Sequence, residues 1–209
     1  SSSDLGYKFI GQFIVDGAGW DLRNSSGFAS GGAFTLGNGY APYASSVEVL
    51  ELRNIVGNIG LDNQSGPVLT IEQVTIDSPM NPVMPNASAL SIGLGKVSIG
   101  SMIVRGARCL ASADMTTHPI IDLGSTSTVT SLLVEGGRLT GGISGYLLAS
   151  NGSTLGCLSL TGLSMGGGWS VIKNTATFAN TPSVVVVGGH YSVSSAVFAS
   201  GNTQAINYT

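Results

Sequence analysis

The 209-residue chain has eight Lys and Arg, eleven Asp and Glu, and 31 Gly, so only 9% of it is charged, against roughly 25% in an average soluble domain, while 43% is hydrophobic. A formal charge of −3 with a mean hydropathy of +0.34 excludes a disordered chain, and scattered basic residues at a pI near 5.1 exclude the field a nucleic-acid partner requires. No stretch reaches the roughly 20 uninterrupted apolar residues of a membrane span, so we expect no membrane insertion and a single domain with a sizeable core.

The chain opens on Ser-Ser-Ser without a Met, which reads as a fragment or processed product. Residues 1–46 are assigned to an N-terminal capping segment with a first coil, carried by Phe13-Ile-Val-Asp-Gly-Ala-Gly-Trp20. The insert from Asn24 to Ser46, rich in Gly, Ser and aromatics (Phe28, Phe34, Tyr40, Tyr43), is either a longer excursion or a shield for an open end. From residue 47 to residue 209 the chain is a repeat. Leu50–Gly57 and Leu69–Ile76 open it, followed by an insert holding Pro79, Pro82 and Pro85, which reads as a loop leaving one corner. The segments starting at Met102, Leu132, Leu158 and Val184 then superpose without gaps; Leu132 follows Met102 by 30 residues, and the next two each follow at 26. A second series starts at Leu90, Ile120, Leu147, Val171 and Val197, the first four each 11 to 13 residues before a copy of the first. Period-two alternation in Val, Ile, Ser and Thr makes these strands rather than helices.

Three columns follow from the superposition. Leu52, Ile71, Val104, Val134, Leu160 and Val186 form an apolar stack expected to face inward. Arg53, Glu72, Arg105, Glu135, Thr161 and Val187 face outward, alternating in charge over four members. Asn54, Gln73, Gly106, Gly136, Gly162 and Gly188 occupy a corner, with Gln73 as the exception to Gly or Asn. Cys109 and Cys157 form no C-x-x-C pair and read as small buried hydrophobes.

Coils of this kind resemble a right-handed parallel β-helix, an all-β single-stranded solenoid of about seven coils and an axis of about 34 Å at one coil per 4.8 Å. Low charge and this repeat are most similar to the tailspike and tail-fibre proteins of bacteriophages. That resemblance implies a homotrimer in the virion tail that contacts, and often cleaves, bacterial surface polysaccharide. A depolymerase (glycosidase or lyase) of the same fold is the first alternative, and a passenger fragment of an adhesin on the bacterial cell surface is the second. No residue matches a diagnostic catalytic motif of that family, and no cofactor is expected.

Glycoside hydrolysis calls for two carboxylates, and none follows Glu135, so an intrachain pair must lie in residues 1–135 or a subunit groove must complete it. Glu72 and Glu135 fall two rungs apart in the outward column, about 9.6 Å by ladder spacing. Arg105 stands between them, so the trio is better read as a salt-bridge ladder. Arg108 and Arg138 stack two positions past the corner, with His190 further along the same column; this basic stripe suits an acidic sugar or is a solvated corner. No metal is expected, because the dense Asp cluster that calcium requires is missing. His118, between Asp114 and Asp122, precedes Pro119 and reads as an extended loop. Trp169, Tyr40 and Tyr43 are candidate platforms for sugar rings, Trp169 because it follows three glycines at a corner. After Glu135 only Arg138 and Lys173 are charged, and the Val184–Val187 strand must turn one pair of valines outward. Both features predict a homo-oligomer whose most apolar contact lies after Leu158.

Overall fold

The structure is a computed structural model that describes residues 9–17, 34–36, 46–55, 57, 59–63, 67–79, 92–109, 119–139, 145–166, 169–173, 175–192 and 204–208. Every strand pairing among them is parallel, and successive strands of each sheet come from successive coils, which makes a parallel β-solenoid. The first and longest sheet stacks Phe9–Asp16, Ser46–Arg53, Leu69–Asp77, Val97–Arg105, Thr128–Glu135, residues 154–161, Ser183–Val187 and Gln204–Tyr208. A second sheet stacks Phe34–Leu36, Ile59–Leu61, Ile92–Leu94, Ile121–Leu123, residues 145–150 and Trp169–Ile172. A third, short one stacks Arg108–Cys109, Arg138–Leu139, Ser164–Gly166 and His190–Ser192. The expected second series is therefore real at Ile120, Leu147 and Val171; Leu90 and Val197 lie outside the described residues. About four turns are described around most of their circuit.

Inward residues spaced three and then two apart recur along the long strands, with a fourth, Leu69 or Val97, where the strand starts earlier. In Thr128–Glu135 these are Val129, Leu132 and Val134, all fully buried, while Thr130 and Ser131 both face outward. Two consecutive outward residues break the pleat, so the strand bends and lines two sides of the core. The same pattern holds in Ser46–Arg53 (Val47, Leu50, Leu52) and at Leu155, Leu158 and Leu160. Facing them, Ile59, Ile92, Ile121, Leu148 and Ile172 form one continuous stack of the second sheet. Parallel strands buried this way satisfy their backbone groups in the ladder and leave only side chains to fill the axis.

Residue-level pairing corrects two segments of the sequence alignment: Ile92 pairs with Ile121, one position off the frame that matches Leu90 with Ile120, and the strand Leu69–Asp77 is shifted by five. Leu50, Leu52 and Arg53 pair with Val74, Ile76 and Asp77, which pair in turn with Met102, Val104 and Arg105. The inward column therefore contains Ile76, not Ile71, and the outward column contains Asp77, not Glu72. Ile71 is buried as well, but it stacks with Val47 and Ile99 on the other limb of the bend. The corner member is then Ser78, not Gln73. It adopts φ 54°, beside φ 53° at Asn54 and φ 59–63° at Gly106, Gly136, Gly162 and Gly188. A left-handed residue at this position turns the chain from the long sheet towards the third sheet, with a second positive φ following at Gly137 and Gly189, and from Asn54 to Gly162 each hands its N–H to the next rung, as in Ser78 N–H to Arg105 O at 2.8 Å.

Two further expectations change. Pro79 does not leave the corner: it is buried, and its carbonyl accepts the N–H of Arg108 at 3.0 Å, because a proline lacks only the donor. Pro82 and Pro85 lie outside the described residues. Cys157 is half-buried, not interior, in an outward column between Ser131 and Ser183, 3.6 Å from the Ser159 hydroxyl. A polar core site occurs instead at the bulged corner near Gly152. There Ser150 and Ser153 hydrogen-bond to each other at 2.6 Å, and the Ser150 hydroxyl donates to the Thr177 carbonyl.

Candidate functional site

The corner between the long and third sheets gathers half of the described charged residues. On its long-sheet side the outward column runs Asp16, Arg53, Asp77, Arg105, Glu135, Thr161 and Val187, alternating in sign through five rungs. Arg105 Nε meets Glu135 Oε2 at 2.9 Å, and Arg53 pairs with Glu51 of its own strand at 2.7 Å. The Arg53 guanidinium is held above its usual pKa, first by the hydrogen bond and charge of Glu51, then by the charges of Asp16 and Asp77. The corner side chains join in: Asn54 Nδ2 donates to Asp16 Oδ1 at 3.1 Å, and Ser78 Oγ donates to Asp77 Oδ1 at 3.0 Å. Glu135 is thereby committed to Arg105 in a partnered, exposed ladder.

Glu72 does not share that column with Glu135. It lies five positions before Asp77 on the same strand, where the strand bends. The register that pairs Val47 with Ile71 and Val49 with Gln73 sets Glu48 directly beneath it. Both carboxylates are exposed, and one rung separates their backbones, about 4.8 Å. On the next rung the column continues as Gly100, where an added Cβ would sit 2.7 Å from the Glu72 carbonyl oxygen. Adjacent carboxylates, not the expected Glu72 and Glu135, thus form the closest acidic pair of this face. Sequence reading missed the pairing because the two outward residues of the bend, Glu72 and Gln73, shift the alternation by one, so a five-residue slip lays one alternating half of the strand on the other.

Across the corner, the basic stripe is as the repeat predicts. Arg108 pairs with Arg138, Arg138 with Ser164, and Ser164 with His190. Arg108, Arg138 and His190 are exposed. Between the stripe and the Arg105–Glu135 pair the chain has glycine at Gly106 and Gly136, and a Cβ placed on Gly136 would meet nothing within 4 Å.

Trp169 is not a surface platform. It is 1% exposed and covers Gly145 of the neighbouring rung, where an added Cβ would stand 2.8 Å from the indole Cζ3. Gly145 on one rung makes room for the ring on the next, whereas of the three glycines that precede Trp169 the second and third lie outside the described residues. A ring that reaches the surface nearby is Tyr146, half-buried, with Lys173 Nζ 5.9 Å from its centroid. Tyr191 packs against the core, and its hydroxyl is buried with no hydrogen-bond partner among the described residues; burial raises its pKa above 10.0. Tyr40, Tyr43, Asp114 and His118 lie outside the described residues, and Asp122 is exposed between Gly93 and Ala149. Among the described residues no group of three His, Cys, Asp or Glu side chains could hold a metal ion. In comparisons with known proteins, no family model, no curated protein and no solved structure matches the chain.

Proposed function

We propose that this solenoid is the shaft of a phage tailspike-like host-recognition protein, a parallel homotrimer of the virion tail that contacts bacterial surface polysaccharide. The observation that carries the reading is the outward ladder Gln73, Ser101, Ser131, Cys157 and Ser183, one small or uncharged polar side chain per rung along the long sheet. Hydroxyls and an amide at a regular spacing of about 4.8 Å offer donors and acceptors to the hydroxyls of an extended glycan without demanding charge. The same poverty of charge suits burial of a neighbouring face in a trimer. The test measures binding to, and reducing-end release from, a panel of bacterial capsular and O-antigen polysaccharides. Retention of at least one polymer without release is expected, and failure to bind any polymer overturns the reading.

Depolymerase activity is the second reading, and the adjacency of Glu48 and Glu72 favours it. Retaining glycosidases hold their two carboxyl groups about 5–5.5 Å apart, within reach of neighbouring rungs. Sustained reducing-end turnover that Glu72→Gln abolishes, with binding intact, would replace the first reading by this one.

A further inference from the structure

We propose that Arg108 and Arg138 form a two-guanidinium clamp for the oxyanion of an acidic glycan, a sugar carboxylate or a phosphodiester between sugars. The inference rests on the glycan-contact reading and names the chemical class of glycan. The other described arginines of the long sheet have carboxylate partners: Arg53 has Glu51, and Arg105 has Glu135. Arg108 and Arg138 have no ion pair among the described residues, although each is exposed and they stand directly opposite one another on adjacent rungs. Like charges in that arrangement repel. Among the described residues no carboxylate pairs with either of them, and Glu135, the last carboxylate in the sequence, is engaged by Arg105.

The geometry turns this cost into a binding arrangement. Neighbouring rungs lie about 4.8 Å apart. Guanidiniums so spaced can turn several planar N–H donors onto one oxyanion lying between them, the bidentate mode in which Arg exceeds Lys. The stripe continues with Ser164, a neutral hydroxyl, and then His190, so a chain running along the axis would meet one concentrated positive locus followed by hydrogen-bonding groups. At the corner Gly136 carries no side chain, and a Cβ placed on it would meet nothing within 4 Å among the described residues. Arg138 is also one of only two charged residues after Glu135, so no further charge follows the locus on its own stripe until His190.

The experiment measures affinity of the whole chain for three probes: oligogalacturonate for carboxylates, glycerol-phosphate teichoic acid for phosphodiesters, and dextran as a neutral glycan. Each is titrated against wild type, Arg108→Gln/Arg138→Gln and Arg138→Lys. The expected result is binding of at least one acidic probe that weakens steeply with salt and falls at least about tenfold in the double glutamine variant. Arg138→Lys should recover only part of it, because an ammonium cannot make the planar pair of bonds. Thermal midpoints of the glutamine variant should equal or exceed wild type, which separates loss of binding from loss of fold. Whichever acidic probe responds identifies the source of the oxyanion. Equal binding of an acidic probe by wild type and double variant overturns the clamp, as does binding of neutral but not acidic glycans, which leaves the glycan-contact reading standing. Binding of neither acidic nor neutral polymers, here and across the capsular and O-antigen panel, overturns both.

Discussion

At the corner of each coil a single backbone angle decides what a side chain costs. Ser78 holds φ 54° where four later coils use glycine, and a Cβ in the left-handed region costs roughly 1–2 kcal/mol. Ser78→Gly should therefore raise stability by about 1 kcal/mol in denaturant melts, less what the lost hydroxyl bond to Asp77 contributed. The converse substitutions separate strain from space. A Cβ on Gly136 meets nothing, so Gly136→Ala should cost only the angular strain. On Gly137, at φ 98°, it would stand 2.6 Å from the Ala107 carbonyl oxygen, so Gly137→Ala should cost clearly more. Equal losses at the two sites would contradict the rung geometry. Tyr191 adds a pH effect whose sign is fixed by burial. Its folded pKa is raised above 10.0, so the stability it contributes is complete below that value and is lost as pH rises through the folded pKa. Alkaline unfolding should begin above about pH 10, and Tyr191→Phe should flatten that limb while leaving neutral stability equal or higher, since the phenol hydroxyl has no partner among the described residues.

Individual strands show where the repeat was legible and where it was not. Four copies, from Met102, Leu132, Leu158 and Val184, carry a glycine at the turn, and their gapless superposition matches the observed pairing residue for residue. Leu69–Asp77 was misplaced because its turn residue is Ser78 and its bend at Glu72 and Gln73 sets two alternating halves side by side, each a fair match to the same pattern. Periodicity reports which residues alternate; it does not report which limb of a bent strand they occupy. Trp169 failed for a related reason, since glycine beside an aromatic marks either a loop or a ring covering a bare backbone, and only the rung beneath, Gly145, distinguishes them. The stripe of Arg108 and Arg138 was legible because it sits next to a correctly read glycine. The revised frame is testable by charge. Asp77→Lys would place a third cation between Arg53 and Arg105 and should lower the melting temperature most at low salt, whereas Glu72→Lys faces Glu48 and should leave it unchanged or raise it. Trp169→Ala should cost roughly 3–5 kcal/mol, the signature of a core ring and not of a sugar platform.

Over the whole molecule, each coil touches only its neighbours, so stability is close to a sum of rung contacts and the outer surface is free to vary along the axis. It does vary, from an alternating charge ladder at Asp16 to Glu135 to Thr161 and Val187 at the far end of the same column. Val184 and Val186 point into the core at 1% and 5% exposure, which turns Val185 and Val187 outward, the latter 43% exposed. The Val185 column also carries Ile103 and Leu133, both half-buried on the outer face, with Ser159 on the rung between Leu133 and Val185, so the apolar character is a stripe along the long sheet that one serine interrupts. Charge that would keep such a stripe soluble is sparse here, because Arg138 and Lys173 are the only charged residues after Glu135. In the proposed parallel trimer this stripe is the contact, tightest in the coils after Leu158. Val187→Glu would bury three like charges around one axis and should shift the assembly towards monomer at micromolar concentration, read by light scattering. Glu135→Gln, in the same column but within the charged zone, should leave the assembly intact. A wild-type monomer, or a trimer indifferent to Val187→Glu, would place the interface elsewhere or remove it.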